Sequence, residues 1–344
     1  MHRAELHDGD VVIVAAARTP MGGFQGALAS LSATELGAVV IRAVASRAGL
    51  SAIDVDEVLM GNVLSAGVGQ APARQAALGA GLDEVTPCTT VSKVCGSGMK
   101  AAMLAYDQIK AGSCSTCIAG GMESMTNAPY FLPKARDGLR LGHAQIKDHM
   151  FFDGLEDAYT GKAMGAFAQA TADDCQLTRE DMDAYAVESL SRANQAIAAG
   201  YFREEIEVLT VRSRAGEVLV ENDEQPGKAR PEKIPLLKPA FARDGTITAA
   251  NSSSISDGAA AMVLMSAARA QQLGLFPLAR VAGHATHAQS PGEFTTAPIV
   301  SIRKLMTKLE WPQDTVDLYE INEAFAMVTM LAIRELELEE SRVN

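Results

Sequence analysis

Apolar residues near the start of the chain form one continuous run followed by a segment with helical spacing. The run covers residues 11–20 and is typical of a buried strand. Residues 32–48 then place apolar side chains three and four positions apart, with Ser32 or Thr34 available as an N-terminal cap and Gly49 as a stop. This stretch therefore predicts a strand that leads into an amphipathic helix.

The same alternation continues through the next part of the chain. Residues 57–64 and 115–124 have the apolar, β-prone pattern of strands, and residues 98–110 between them have helical periodicity. Strands that alternate with helices usually build a sheet covered on both faces. The pattern therefore indicates an α/β fold with a largely parallel sheet.

The second half of the chain is less regular before the α/β pattern returns. Residues 122–165 carry no clear period, and residues 178–200 predict one long helix. Strands are predicted at 258–266 and 278–288, and a helix at 324–336. The order allows two similar α/β halves with an inserted middle segment.

Composition narrows the possible functions. The chain has 344 residues, 48% of them hydrophobic, which is enough for a large core and two or three domains. Its formal net charge of -12 argues against non-specific binding to nucleic acid. No apolar run approaches the roughly 20 residues that span a bilayer, and the first residues do not have a signal-peptide pattern. Five irregularly spaced cysteines fit a reducing compartment, so a cytoplasmic protein is expected.

One cysteine has an unusual neighbourhood. Cys95 follows a β-prone stretch and precedes Gly-Ser-Gly and the start of a predicted helix. A helix N-terminus favours the thiolate, which predicts a pKa below the ordinary value of about 8.5. Gly96 and Gly98 would leave room for a substrate carbonyl and would permit backbone angles that other residues resist, and the Cys95 N–H could donate to an oxyanion. The alternative is a small buried side chain packed under a glycine turn.

Other candidate sites have fewer supporting features. Cys114 and Cys117 match the C-x-x-C spacing of a redox pair or half a zinc site, but no helix start or second ligand pair accompanies them. A basic cluster within residues 210–243 fits either a solvated face or an anion site. Its members are Arg212, Arg214, Lys228, Arg230, Lys233, Lys238 and Arg243.

Six stretches, in order along the chain, resemble sequence blocks of the thiolase family. The third contains Cys95 at the position of the cysteine that accepts the acyl group. The stretches are RTPMGGFQGAL (18–28), GQAPARQAALGAGL (69–82), VSKVCGSGMKA (91–101), AGGMESMTNAPY (119–130), TAANSSSISDGAAA (248–261) and EINEAFA (320–326).

The resemblance implies a five-layer αβαβα fold built from two duplicated halves. Residues 1–121 and 248–276 would form the N-terminal half, residues 122–247 an inserted loop domain, and residues 277–344 an incomplete C-terminal half. It also implies reversible acyl transfer of the acetyl-CoA C-acetyltransferase type. Coenzyme A thioesters would be the substrates, with no separate cofactor and no metal, in a homodimer or homotetramer. The alternatives are a 3-ketoacyl-CoA thiolase of broader chain length and an inactive protein that binds coenzyme A or serves assembly.

The resemblance also assigns roles to individual residues. Cys95 would carry the acyl group, and Asn322 would hold a water at an oxyanion site. Ser253 would contact the pantetheine arm. The rest of the coenzyme A and acyl pocket would be lined by Gly96, Met164, Phe294 and Phe325.

The sequence departs from the family pattern at several positions. Ser92, Ala163 and Phe294 stand where Asn, His and Met are usual. Neither a Gly-His-Pro block nor a Cys-Ile-Gly-Gly-Gly block occurs in the sequence, and these would supply a histidine and a second cysteine for catalysis. Because a catalytic unit loses most of its effect when one member is absent, we expect alkylation of Cys95 but negligible turnover of acetoacetyl-CoA.

Overall fold

The computed structural model describes residues 6–213 and 216–344. The described residues form eleven strands: β1 Val11–Arg18, β2 Gly22–Gly23, β3 Glu57–Gly61, β4 Cys88–Val91, β5 Thr116–Ser124, β6 Tyr130–Phe131, β7 Lys147–Asp148, β8 Leu209–Ser213, β9 Gly216–Val220, β10 Ser256–Ser266 and β11 Ala279–Arg280. They also form nine α-helices: α1 Ala33–Arg47, α2 Pro72–Ala80, α3 Ser97–Ala111, α4 Met164–Asp174, α5 Arg179–Ala199, α6 Glu224–Lys228, α7 Ala267–Gln272, α8 Ala297–Leu309 and α9 Ala326–Leu336.

The central sheet has seven strands and confirms the predicted α/β class. Its order is β11-β1-β10-β5-β3-β4, with β2 paired to β10. Strands β3, β4 and β5 are parallel, whereas β10 runs antiparallel to both β1 and β5. The prediction of a largely parallel sheet was therefore wrong, and the sheet is mixed. The reason is that the long segment between β5 and β10 brings the chain back to the end of the sheet where β5 stops, so that Asp257 near the start of β10 pairs with Ser124 at the end of β5.

Both faces of this sheet are buried. One face packs on α1 and α2 through residues such as Val12, Val263 and Leu36. The other packs on α3 through residues such as Leu264 and Ala105. Successive strand residues point to opposite faces, so a strand covered on both sides is apolar along its length, as residues 11–17 are.

Local signals placed most of the predicted helices and strands correctly. The side chain of Ser32 accepts a hydrogen bond from the N–H of Glu35, and the Glu35 carboxylate accepts one from the Ser32 N–H, so α1 begins with a capping box. The predicted strand at 278–288 was mostly wrong. Only Ala279 and Arg280 pair with β1, and residues 281–288 form no strand.

The chain divides into two compact units. Unit 1 consists of residues 1–154, 200–225 and 255–282 and contains the central sheet. Unit 2 consists of residues 155–199, 226–254 and 283–344. The three-part division into two halves and a loop domain stays a prediction.

Unit 2 is built mainly from helices. Helices α4, α5, α8 and α9 contribute Ala168, Met182, Ile299 and Leu331 to one apolar core. Among the residues that the structure describes, no helix has both the length and the apolar character needed to cross a membrane.

Candidate active site

Cys95 lies in the tight turn that joins strand β4 to helix α3 in unit 1. Helix α3 begins at Ser97, and Gly96 is its N-cap residue. The thiol therefore lies two residues before the first helical residue, beside backbone N–H groups that the helix itself does not use. This confirms the predicted position of the cysteine at a strand-to-helix turn.

Hydrogen bonds from one side chain close this turn. The Oγ of Ser97 accepts from the N–H of Lys93 at 2.7 Å and donates to the carbonyl of Val94 at 2.6 Å. Backbone bonds from Gly96 to Lys93 and from Ser97 to Val94 complete the closure. Ser97 is 5% exposed, so these bonds are protected from water.

The strained residue of the turn is Val94. Its φ of 46° lies in the left-handed region, which a β-branched residue rarely adopts. Such outliers concentrate at functional sites, where the surrounding structure holds them in place. The sequence had suggested that Gly96 and Gly98 supply unusual backbone angles. In the structure Gly96 has a φ of -87°, which any residue can adopt, so that expectation was wrong.

Glycines let helix α3 approach the sheet closely below Cys95. A Cβ on Gly61 would lie 2.6 Å from the backbone N of Gly98, and one on Gly98 would lie 3.4 Å from the N of Gly121. Gly98 therefore serves the packing of the helix on β3 and β5, not the approach of a substrate. A Cβ on Gly96 would meet only Lys93, with the carbonyl oxygen at 3.5 Å, so space remains on that side of the turn.

The thiol of Cys95 is reachable but is not held as a thiolate by the residues around it. Cys95 is exposed. The protein nevertheless removes enough water from around the sulfur to raise its pKa above the ordinary value, and a hydrogen bond from its own backbone N–H lowers it by less. The predicted fall in the pKa of Cys95 is thus wrong, because desolvation outweighs the hydrogen bond.

In unit 2, the segment 320–326 presents one polar side chain outward. Ile321 and Phe325 are buried in the core of the unit, and Asn322 between them is exposed. Asn322 borders a groove of about 430 Å³. The groove is also lined by Glu320, Ile321, Glu323 and Asn344.

The loop that carries Ser253 is tied to the Asn322 segment. The N–H of Ser253 donates to the carbonyl of Ala324 at 2.9 Å, and the N–H of Ala326 donates to the carbonyl of Asn251 at 2.9 Å. The Ser253 side chain itself is exposed. The two predicted polar contacts of unit 2, Ser253 and Asn322, therefore lie on segments that are bonded to each other.

Three aromatic rings lie together in the same unit. The ring of Phe325 packs edge-on against Phe241, with centroids 6.2 Å apart, and against Phe294 at 6.5 Å. A Cβ on Gly165 would lie 2.2 Å from the Phe241 ring, so that ring covers the start of α4, where Met164 is the first residue. The structure thus brings Phe294 and Phe325 together, with Phe241 as an additional member.

The predicted site residues are divided between the two units. Cys95 and Gly96 belong to unit 1, and the other five predicted residues belong to unit 2: Met164, Ser253, Phe294, Asn322 and Phe325. Sequence reasoning missed Ser97, whose position at a helix start was a usable signal. It also missed Phe241, which has no distinguishing local pattern.

The weaker candidates are the Cys114–Cys117 pair and the basic cluster. Cys114 and Cys117 are buried, and a hydrogen bond between their thiols, together with burial, raises the pKa of Cys117. All five cysteines are free. Within the described parts of the chain, no three His, Cys, Asp or Glu side chains converge as a metal-binding group. In the basic cluster, Arg212 pairs with Glu217 at 3.3 Å, and Arg214 lies outside the described residues.

Comparison with known proteins connects this geometry to one family. The model "Thiolase, N-terminal domain" matches residues 11–268, and "Thiolase, C-terminal domain" matches residues 275–344. An acetyl-CoA acetyltransferase of Pseudomonas aeruginosa is 48% identical over 337 residues, which is 97% of this chain and 86% of the relative. Acetyl-CoA acetyltransferase 2 of Arabidopsis thaliana is 49% identical over 347 residues, covering 100% of this chain and 86% of that protein.

Solved structures agree with the sequence relatives. A thiolase from Ascaris suum, crystallised with coenzyme A, superposes with a TM-score of 0.93 at 40% identity, covering 97% of this chain and 86% of that one. The acetyl-CoA acetyltransferase of Bacillus anthracis gives a TM-score of 0.94 at 39% identity, covering 97% and 85%.

Proposed function

The chain belongs to the thiolase family and is an acyltransferase of the acetyl-CoA acetyltransferase type, and from this premise we propose that Cys95 carries the acyl group. The observation that carries the proposal is the position of an exposed thiol in a strained turn at the start of α3. Nucleophiles of acyl transfer are commonly presented at such turns, where backbone N–H groups can stabilise an oxyanion.

The first half-reaction is a transfer between two thioesters. The Cys95 thiolate attacks the carbonyl carbon of acetyl-CoA, the carbon–sulfur bond to coenzyme A breaks, and the coenzyme A thiolate takes up a proton. The bond formed and the bond broken are both thioesters, so the step is nearly balanced in free energy. Because the protein raises the pKa of Cys95, the thiolate is a minor species at neutral pH and is strongly nucleophilic when it forms.

In the second half-reaction a second acetyl-CoA loses a proton from its α-carbon, and the resulting enolate attacks the acetyl carbonyl on Cys95. The bond to the Cys95 sulfur breaks, and the thiolate that leaves takes up the proton. The enolate places negative charge on a thioester oxygen. We assign Asn322 to hold a water at that oxygen, since it is exposed beside a groove on a segment anchored by Ile321 and Phe325. A donor fixed before the reaction stabilises developing charge without reorganising. Ser253, exposed on the adjoining loop, would contact the uncharged pantetheine arm through its hydroxyl.

We propose that acetyl is the preferred acyl group and that the aromatic cluster limits longer chains. Phe294 and Phe325 pack ring against ring, and Phe241 fills the space next to Met164. Large rigid rings leave less room than flexible methionine at such positions. A 3-ketoacyl-CoA thiolase of broad chain length is the less supported reading.

We also propose which cofactor, compartment and oligomeric state go with this activity. Coenzyme A takes part as substrate, and no separate cofactor is proposed. The free cysteines support a reducing compartment, which we take to be the cytoplasm. A homodimer or homotetramer is proposed from the exposed apolar side chains on the segment that carries β6 and β7: Tyr130, Leu139, Leu141 and Ile146.

The experiment is isotope exchange between acetyl-CoA and labelled free coenzyme A. Exchange requires only the first half-reaction, so it isolates the role of the nucleophile. We expect exchange with the protein and none with Cys95→Ser, whereas Cys88→Ser, which changes a cysteine of strand β4, retains it. Exchange that survives in Cys95→Ser would refute the assignment.

A further inference from the structure

Helix α5 holds the residue next to Asn322 by its carboxylate. The hydroxyl of Tyr185 donates to Oε1 of Glu323 at 3.0 Å, and the hydroxyl of Ser189 donates to Oε2 at 2.8 Å. The amide of Asn344 donates to Oε1 at 2.8 Å. Each oxygen of one carboxylate is therefore held by a hydroxyl from the same helix, four residues apart and so on one helix face.

This clamp determines which way the neighbouring side chain points. Ile321 is buried in the core of unit 2, Asn322 is exposed, and Glu323 turns inward to α5. The N–H of Ala324 donates to the carbonyl of Asn322 at 2.9 Å, which closes a tight turn with Glu323 at its centre. Holding the Glu323 carboxylate against α5 therefore holds this turn and the backbone that carries the Asn322 side chain.

The clamp is strong because its donors stay protonated. Burial of the phenol and the negative charge of Glu323 raise the pKa of Tyr185 well above its ordinary value. The hydroxyl therefore remains a donor across the whole physiological range of pH. Hydrogen bonds to an ionised carboxylate are stronger than those between neutral groups.

The same helix also anchors the loop that carries Ser253. The carboxylate of Asp183 accepts from the amide of Asn251 at 3.0 Å and from the guanidinium of Arg179 at 2.6 Å. Asp183 is 6% and Asn251 is 2% exposed, so both bonds are shielded from water. One helix thus supports both polar segments of unit 2, through Asp183 for one and through Tyr185 and Ser189 for the other.

We propose that Tyr185 and Ser189 are positioning residues for Asn322, acting through the carboxylate of Glu323. The proposal rests on the role of Asn322 put forward above. It adds that the orientation of Asn322 is set from α5, so that loss of either hydroxyl weakens the stabilisation of an enolate oxygen without disturbing simple thioester exchange.

Two acyl donors, acetyl-CoA and acetoacetyl-CoA, distinguish stabilisation of the enolate oxygen from simple thioester exchange. Acetylation of Cys95 by acetyl-CoA releases coenzyme A and forms no enolate. Acetylation by acetoacetyl-CoA breaks a carbon–carbon bond, and the electron pair of that bond leaves as the enolate of acetyl-CoA, which then takes a proton that water can supply. Only the second reaction needs a donor at the enolate oxygen.

The test measures the single-turnover rate of Cys95 acetylation from each donor by intact mass, so it does not require the sustained turnover of acetoacetyl-CoA that the sequence predicts to be negligible. In Tyr185→Phe and Ser189→Ala, we expect the rate from acetoacetyl-CoA to fall about tenfold relative to the rate from acetyl-CoA. Ser189→Thr, which keeps a hydroxyl, should restore the ratio. Tyr319→Phe is the matched control, since it removes a tyrosine hydroxyl elsewhere in the unit, and its ratio should not change.

Hydrogen exchange supplies a second readout that does not depend on catalysis. Deuterium uptake in the peptide 320–325 should rise in Tyr185→Phe and Ser189→Ala and stay constant in Tyr319→Phe. Unchanged uptake in both variants, or an equal loss of rate from both donors, would overturn the proposal.

Asn322→Ala distinguishes failure of this proposal from failure of the assigned function. If Asn322→Ala lowers the donor ratio and Tyr185→Phe does not, the positioning proposal is wrong and the role of Asn322 stands. If Asn322→Ala leaves the ratio unchanged, the role of Asn322 itself is refuted.

Discussion

The N–H of Lys93 lies 2.7 Å from the Oγ of Ser97, which joins the second residue after strand β4 to the first residue of helix α3. Cys95 lies midway between these two residues. The position of the thiol is therefore set by a single buried hydroxyl that bonds in both directions, since the same Oγ donates to the carbonyl of Val94.

Removal of that hydroxyl should loosen the turn. Ser97→Ala removes the acceptor of the Lys93 N–H in a partly buried site, which lowers the unfolding free energy by about 1 kcal/mol. Denaturant unfolding measures the loss, and acetyl-CoA exchange should fall with it. Ser113→Ala changes an exposed serine after α3 and should change neither. A stable Ser97→Ala variant with full exchange would show that the hydroxyl does not shape the site.

A side chain at Gly61 should displace helix α3. In Gly61→Ala the new Cβ would lie 2.6 Å from two backbone atoms, the N of Gly98 and the C of Ser97. The helix must then move, at a cost of about 1–3 kcal/mol. Acetylation of Cys95 should slow together with the fall in melting temperature. Gly9→Ala, where a Cβ meets nothing within 4 Å, is the control and should behave as the original chain.

The rate of Cys95 alkylation should rise at a higher pH than the rate for a free cysteine does. Burial raises the pKa of this thiol, so the thiolate fraction reaches one half at a pH above the ordinary thiol pKa of about 8.5. The rate of reaction with iodoacetamide, followed by peptide mass, should therefore have its midpoint above that of a free cysteine. A midpoint below that of a free cysteine would mean that the helix terminus dominates over desolvation.

Glu123 should give stability a particular dependence on pH. Its carboxylate accepts from the N–H of Val63 at 2.8 Å and of Leu64 at 3.2 Å, yet burial raises its pKa above the ordinary value of about 4.3. At pH values between the ordinary pKa and the raised pKa of Glu123, the folded protein binds more protons than the unfolded chain does. The contribution of Glu123 to the free energy of unfolding therefore falls as pH rises through that interval.

The comparison variant for this effect is Glu123→Gln, which does not titrate. The difference in unfolding free energy between the original chain and Glu123→Gln should shift with rising pH in favour of the variant. Denaturant titrations at several pH values measure it, and a difference that stays constant across the interval would contradict the assignment.

The sequence predicted those parts of the fold that depend on local patterns. Residues 11–17 form most of strand β1 because they are apolar on both sides, and α1 begins at Ala33 because Ser32 and Glu35 form a capping box. The direction of β10 could not be read in this way, because strand orientation depends on how the intervening chain returns to the sheet. The predicted strand was wrong at residues 281–288 for a related reason. An apolar stretch forms a strand only where a partner strand is available, and local pattern does not show this.

The candidate site was predictable as a set of positions and less so as chemistry. The Gly-Ser-Gly after Cys95 marked a turn, but the strained angle lies at Val94 and the structural hydroxyl at Ser97. The direction of the pKa shift of Cys95 depends on how much protein surrounds the sulfur, which no local motif encodes. The clamp on Glu323 joins residues more than 130 positions apart and has no sequence period to reveal it.

The central claim is that Cys95 accepts the acyl group. The most direct measurement is peptide mass spectrometry after incubation with acetyl-CoA and rapid acid quenching. The account predicts one acetyl group on the peptide that contains Cys95, removed by added coenzyme A and absent after prior alkylation. A folded protein that reacts with iodoacetamide at Cys95 but carries acetyl on another residue, or on none, would contradict it.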